Sequence, residues 1–282
     1  MNFSYMIGKV EDYLFFCRPF LLIPGVAIFI LASNDKQFRV YEFVTVLLIL
    51  ILSYITNQIY DIDSDRFNNK NFFLPQEIIT VNEAYRIGIF FSIVAGIFFL
   101  LSDEPLSIFL LWLFVNIFYN HPRFNWKSKP ILSLLSAFFG GFFVAIIASD
   151  VLDYKAILYG ILMLCGGLLT SFDDVDGDKY SDKITFVVRY GMGKSLILLR
   201  FLSFTGFAIS SFNGEYILGI LFALTFFYRI LFHLSGYQIS KYLILSITVL
   251  ASFRYPIFIV TLILLFFYSR NYYQRKFGIK YP

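Results

Sequence analysis

The sequence predicts an all-α fold, a polytopic membrane helical bundle of about nine transmembrane helices. Three observations predict it. The chain is 59% hydrophobic and 15% charged, against about 25% charged in a typical soluble domain. Its apolar residues, 37 Phe among them, gather in runs close to the ~20 residues that a helix needs to cross a bilayer. Polar residues gather between the runs, some of them in acidic clusters. Inside lipid every backbone polar group must be satisfied within the segment, so such runs are read as helices.

The expected spans are 13–33, 41–60, 84–101, 104–120, 131–149, 155–172, 193–211, 215–234 and 240–269. The first follows MNFSYMIGKVEDYLFF, which has Lys9, Glu11 and Asp12 but neither a basic start nor a small-residue cleavage site. It is therefore expected to be retained rather than removed as a signal peptide. The second span ends in NQIYDIDSDR. The third and fourth are joined by SDEP, and the sixth runs into SFDDVDGDKYSDK. The seventh and eighth are joined by FNGE. The last segment is too long for one simple span, and Arg254 and Pro256 interrupt it; a kink or two shorter pieces are expected there. No linker or soluble region stands out, so residues 1–282 are read as a single integral-membrane domain.

The loops alternate in charge. Loops 61–83, 121–130 and 173–192 carry Arg66, Lys70, Arg123, Lys127, Lys129, Lys179, Lys183 and Arg189, whereas SDEP and FNGE carry no cation. The positive-inside rule places the long loops and the N-terminus in the cytoplasm, and the expected location is the plasma membrane if the source is prokaryotic. The basic tail NYYQRKFGIKYP conflicts with a count of nine, which would put it outside. Either the count is ten or the tail violates the rule. Cys17 and Cys165 both fall in expected spans and imply neither a disulfide framework nor a thiolate metal site. The net charge of +4 is carried mostly in membrane loops, so nucleic acid is not an expected partner.

In NQIYDIDSDR, Asn57, Asp61 and Asp65 are spaced four apart. On a helix that spacing advances about 40° per step, so the three share a face while Asp63 points elsewhere. Amide and carboxylate oxygens are hard ligands suited to Mg²⁺, which takes one or two carboxylates, keeps water and binds substrate phosphates. In the second patch Asp174 and Asp178 repeat the four-residue spacing, with Asp173 and Asp176 as nearby alternatives. Facing carboxylate clusters repel unless cations lie between them. The competing reading is that both loop ends are simply acidic and solvated, because charge at a membrane helix end is tolerated.

These motifs resemble those of the UbiA family of membrane prenyltransferases, NxxxDxxxD followed by DxxxD. They stand here as Asn57-Asp61-Asp65 and Asp174-Asp178. Tyr119, Pro122, Lys127 and Pro130 fit the family's stretch after the fourth span, and Thr185 and Gly191 fit its spacing after the second acidic motif. Three positions depart from the pattern. Phe72-Phe73 replace an Arg-Pro pair with only Pro75 retained, Ser171 replaces an extra Asp, and Ile184 replaces a basic residue, with Lys183 one position earlier.

The resemblance implies transfer of a prenyl group from an isoprenyl diphosphate donor to a lipophilic acceptor, such as an aromatic quinone precursor. Two Mg²⁺ ions would act as Lewis acids on the leaving diphosphate. Asn57 and Asp61, with Asp65 as a further candidate, would hold one; Asp174 and Asp178 would hold the other. Arg66, Lys127 and Lys183 are candidates to offset phosphate charge. Tyr119 is the candidate to stabilise an allylic cation with its ring face, weighed against an ordinary interfacial aromatic. Asp61 and Asp174 are the expected catalytic carboxylates. The resemblance also implies an active site at the cytoplasmic mouth of the bundle, with the hydrocarbon tail of the donor accommodated by the bilayer.

Other residues read more plainly. His121 and His233 show no ligand spacing. Arg18 reads as a snorkelling interfacial cation that could also reach phosphate. Gly140-Gly141 and Gly166-Gly167 are expected to permit close helix contact. A membrane terpene cyclase of the same superfamily would use the same ionisation chemistry. A secondary transporter would place its carboxylates near the bilayer midplane instead. The DGxxAR pattern of CDP-alcohol phosphotransferases is absent.

Overall fold

The computed structural model describes residues 3–33, 38–67, 72–102, 104–149, 151–180, 182–228 and 234–281. His233 and Lys70 lie outside these. The described chain is helical: α1 (Phe3–Phe16), a 3-10 turn at Pro19–Leu22, α2 (Ile23–Ala32), α3 (Val40–Tyr60), α4 (Ile62–Phe67), α5 (Val81–Leu100) and α6 (Leu106–Asn120). A second 3-10 turn at Trp126–Ser128 leads to α7 (Pro130–Ser149), α8 (Tyr154–Asp173), α9 (Val175–Tyr180) and α10 (Phe186–Phe212). The chain ends with α11 (Tyr216–Phe226), α12 (Gly236–Arg254) and α13 (Ile257–Phe277).

Six described segments are long and apolar enough to cross a bilayer: Gly8–Ala32, Val40–Tyr60, Val81–Leu100, Pro130–Ser149, Tyr154–Asp173 and Phe186–Phe212. Two expected spans appear as the shorter apolar helices Leu106–Asn120 and Tyr216–Phe226. The expected span 240–269 is divided into α12 and α13 at Tyr255-Pro256. Proline has no N–H for the helical ladder and disfavours helical geometry in the residue before it, so the break falls there.

The chain forms two compact units. The first comprises residues 1–27, 39–103 and 248–282; the second comprises 28–38 and 104–247. In the first unit α1, α3, α5 and α13 share a core of Phe15, Phe16, Ile55, Ile59, Phe73, Ile79, Tyr272 and Tyr273. Phe15 stacks on Tyr272 with ring centroids 4.0 Å apart. Polar contacts fix the packing where helices end. Gln58 donates to the carbonyl of Phe16 (2.9 Å) and Tyr54 to that of Leu21 (2.9 Å). Thr80 and Glu83 form a reciprocal capping box that starts α5. Lys9 reaches Glu83 (3.2 Å) and ties α1 to the same point.

In the second unit α7 and α8 lie against each other. A Cβ on Gly141 would stand 2.3 Å from the carbonyl oxygen of Tyr159, so only glycine admits this approach. Of the other glycines expected to permit close contact, Gly167 sits 3.3 Å from the Cβ of Ala137 by the same measure, while Gly140 faces open space. The core holds Ala145, Ile147, Leu158, Leu168, Leu199 and Phe222, all fully or almost fully buried. Cys17 and Cys165 are free, buried thiols.

Candidate active site

Both acidic motifs are built in the same way, one in each unit. In the first, α3 ends at Tyr60, and Asp61 leaves helical geometry (φ −108°, ψ 11°) before the six-residue α4 begins. The spacing predicts a shared face for Asn57, Asp61 and Asp65 at a helix end; the structure places a break in the helix at the central carboxylate. The hydrogen bonds nevertheless keep helical register across it. The Asp61 N–H donates to the carbonyl of Asn57 (2.9 Å), and the Asp65 N–H donates to that of Asp61 (2.7 Å). In the second, α8 ends at Asp173, Asp174 leaves helical geometry (φ −91°, ψ 0°), and the six-residue α9 follows. The Asp178 N–H donates to the Asp174 carbonyl (2.8 Å). Each motif thus places one carboxylate at a helix-to-helix joint and the next one turn beyond it.

The remaining first-motif residues separate by exposure. Asn57, Asp61 and Asp65 are half-buried, whereas Asp63 is exposed and pairs with Arg66 at 3.6 Å. Arg66, expected to contact phosphate, is itself exposed and engaged by this pair on α4. The Arg18 guanidinium lies 3.9 Å from the Asp65 carboxylate, and both side chains are mostly buried. Arg18 therefore stands beside the motif rather than snorkelling to an interface. Its backbone is left-handed (φ 49°, ψ 57°) at the start of the Pro19–Leu22 turn, a conformation uncommon for a side chain other than Gly, Asn or Asp.

In the second motif Asp178 is buried and pairs with Lys183 at 3.4 Å. Burial pushes its carboxyl pKa up; Lys183 opposes this, and the neighbouring Asp174 adds to it. The Lys183 N–H also donates to the Asp178 carbonyl (2.8 Å), closing the loop beneath the pair. Thr185 is buried at the start of α10, and its side chain also acts to lower the Asp178 pKa. Its Oγ1 makes no hydrogen bond of standard geometry. Asp173 and Asp176, the alternatives left open by spacing, are both exposed. Asp173 is engaged by the backbone of α12, accepting the Tyr237 N–H at 2.6 Å. The Tyr237 hydroxyl donates to Asp174, a contact the sequence reading did not find.

The other expected residues divide. Tyr119 and Lys127 are half-buried in the second unit, at the end of α6 and in the Trp126–Ser128 turn. His121 Nδ1 accepts the Arg123 N–H (3.2 Å), a local loop role. The departures from the family pattern also find physical roles. Ser171 donates to the carbonyl of Gly167 (2.8 Å) within its own helix, and Ile184 is exposed. Phe73 is fully buried, and Phe72 packs edge-on against Tyr273 and Phe277 (5.6 and 5.4 Å).

The donor set fits Mg²⁺. Among the described residues no three His, Cys, Asp or Glu side chains are gathered as an all-protein metal cage. Each motif instead offers oxygen donors from one or two carboxylates, with the Asn57 amide added in the first. Mg²⁺ characteristically binds through such a set and completes its octahedron with water and substrate phosphate.

Comparison with known proteins agrees with this architecture. A family model described as the UbiA prenyltransferase family matches residues 21–277. Digeranylgeranylglyceryl phosphate synthase of Methanocaldococcus jannaschii is 25% identical over 195 residues, 64% of this chain and 66% of its own length. The protein of the same name from Sulfurisphaera tokodaii is 26% identical over 213 residues, 69% of this chain and 76% of its own. The chain thus spans about two thirds to three quarters of these curated relatives. Among solved structures, a UbiA homolog from Archaeoglobus fulgidus bound to GPP and Mg²⁺ gives a TM-score of 0.72 at 17% identity, covering 88% of this chain and 99% of that one. At that identity the likeness establishes the fold. With the family model matching nearly the whole length and both acidic motifs present, the chain belongs to the UbiA prenyltransferase family.

Proposed function

We propose that the protein catalyses Mg²⁺-dependent transfer of a prenyl group from an allylic isoprenyl diphosphate to a lipophilic acceptor, releasing diphosphate. The observation that carries this reading is the shared construction of the two acidic motifs, a carboxylate at a helix joint followed by another one turn on. Asn57, Asp61 and Asp65 would hold one Mg²⁺, and Asp174 and Asp178 a second. Bound there, the ions would supply Lewis-acid charge to the leaving diphosphate. Structures of a UbiA homolog from A. fulgidus bound to GPP and Mg²⁺ and to DMAPP and Mg²⁺ support this choice of donor and metal.

The chain's own residues would bind and orient the donor. Arg18, held beside Asp65, and Lys183, held beside Asp178, would offset phosphate charge. Lys127 is a further candidate for the same task. The half-buried Tyr119 would present its ring to the developing allylic cation, which an aromatic face stabilises without capturing it. The apolar helix surfaces would take the prenyl tail, with the diphosphate at the polar helix ends on the cytoplasmic side. The curated relatives suggest two acceptor classes to try first. One is a prenylated glycerol phosphate, after the archaeal synthases, and the other is an aromatic ring, after the 2-acylphloroglucinol 4-prenyltransferase of Humulus lupulus, which is 25% identical over 176 residues.

The test is a panel of prenyl diphosphates of increasing length against acceptors of both classes, with purified protein and products read by mass spectrometry. A prenylated acceptor formed only with Mg²⁺ is expected. A cyclised hydrocarbon formed without acceptor would favour a cyclase, and Mg²⁺-independent turnover would contradict the proposal.

A further inference from the structure

A carboxylate that serves a metal must present a free oxygen in a fixed direction, and a side chain at a helix terminus needs outside contacts to hold it so. Asp174 is such a side chain, standing at the joint between α8 and α9. Three features of the α12 N-terminus converge on it.

The first is a reciprocal cap. The Gln238 N–H donates to Ser235 Oγ (3.2 Å), and the Ser235 N–H donates to Gln238 Oε1 (2.9 Å). This arrangement fixes the first turn of the helix. The second is close approach. A Cβ at Gly236 would stand 2.0 Å from the carbonyl oxygen of Leu169, so the turn lies directly on the end of α8. The third is the pair of bonds from Tyr237. Its backbone N–H donates to Asp173 Oδ2 (2.6 Å), and its hydroxyl donates to Asp174 Oδ1. Adjacent carboxylates therefore have separate tasks. Asp173 anchors the helix, and Asp174 is held through one oxygen. Among the described residues no hydrogen bond engages the other oxygen of Asp174.

We infer that Tyr237 is a positioning residue for the second acidic motif: its hydroxyl fixes the Asp174 carboxylate and presents the opposite oxygen to a divalent cation bound with diphosphate. The inference rests on the function proposed above. A phenol is well suited to the task. It has few rotatable bonds, and by donating to the ionised carboxylate it favours the charged form that a cation needs. Groups that orient a metal's ligands typically affect metal affinity or activity by about 10–100-fold when removed.

The test uses the full chain in detergent. Mn²⁺ binding in the presence of inorganic diphosphate is measured by electron paramagnetic resonance for the wild type, Tyr237→Phe and Asp174→Ala. Tyr237→Phe deletes one oxygen and leaves the cap, Gly236 and the ring in place. Weaker Mn²⁺ binding by about 10–100-fold is expected. The Mg²⁺ half-saturation of diphosphate release should rise by a similar factor, with kcat recovering at saturating Mg²⁺. Superimposable Mn²⁺ isotherms for Tyr237→Phe and wild type would overturn the inference. So would a loss of kcat at saturating Mg²⁺ with unchanged Mn²⁺ binding. A wild-type protein that binds no Mn²⁺ and releases diphosphate without a divalent cation would contradict both this inference and the proposed function. Wild-type binding with Tyr237→Phe unchanged would contradict only the role of Tyr237.

Discussion

At the residue scale, neighbouring carboxylates of the first acidic motif differ in exposure. Asp61 sits at a helix joint, half-buried, whereas Asp63 is exposed and pairs with Arg66. Asp63→Ala is therefore expected to retain near wild-type diphosphate release under conditions in which Asp61→Ala does not. An assay of both variants at one Mg²⁺ concentration separates them. Asp178 makes a prediction about pH. Burial raises its pKa and Lys183 partly counters this, while a metal ligand must be deprotonated. Removing the counter-charge raises the pKa further. Lys183→Gln should therefore move the acid limb of the Mg²⁺ dependence to higher pH, read as Mg²⁺ half-saturation against pH. An unmoved limb would contradict this account. The acidic residues and their spacing were legible in the sequence because periodicity fixes which residues recur on one face. The separate contacts of Asp173 and Asp174 were not, because they are made by α12, more than sixty positions further along the chain.

At the element scale, the departure at Phe72-Phe73 changes meaning. In place of an Arg-Pro pair the loop supplies two aromatic rings, on which the end of α13 closes through Tyr273 and Phe277 and the tail beyond it through Tyr281. The same helix is pinned to α1. Tyr272 donates to the buried Asp12 (2.6 Å), Lys276 pairs with Asp12 (3.0 Å) and Tyr268 donates to Glu11 (2.7 Å). The loop after the first acidic motif thus belongs to a hydrophobic core closed by the C-terminal helix. Phe73→Ala should cost about 3–5 kcal/mol, measured by denaturant unfolding in detergent. A loss below about 1 kcal/mol would be ordinary for a surface site and would contradict this packing. The helices themselves were legible from hydropathy and length. The break at Asp61 was not, because the backbone bonds around it keep the i→i−4 pattern that sequence spacing assumes. The division of 240–269 was partly legible, since Pro256 marks it.

At the scale of the whole molecule, the fold class and the family were readable from composition and motif order, whereas the number and limits of the crossing segments were not. Hydropathy alone does not distinguish a crossing helix from a shorter apolar one such as Leu106–Asn120. Exposed apolar side chains follow helical spacing along α5, at Ile89, Ile93, Ile97 and Leu100, as expected of a lipid-facing stripe. The contacts of α13 with α1 and with Phe72 also bear on the basic tail. They place it at the end of the first unit that carries the loop after the first acidic motif. Lys280→Cys and Asp63→Cys should accordingly be labelled by a membrane-impermeant maleimide from the same side of sealed vesicles. Cys17 and Cys165 are buried and should contribute little background. Labelling from opposite sides would contradict the packing of the tail.

The central claim is that the two acidic motifs act together with Mg²⁺ on a prenyl diphosphate. Its most direct test is Mg²⁺-dependent diphosphate release by membrane-inserted wild type, Asp61→Ala and Asp174→Ala, each with and without excess chelator. A fall of about a hundredfold or more in either variant, and loss of wild-type release in chelator, is predicted. Full activity in Asp61→Ala or Asp174→Ala, or undiminished release in excess chelator, would contradict it.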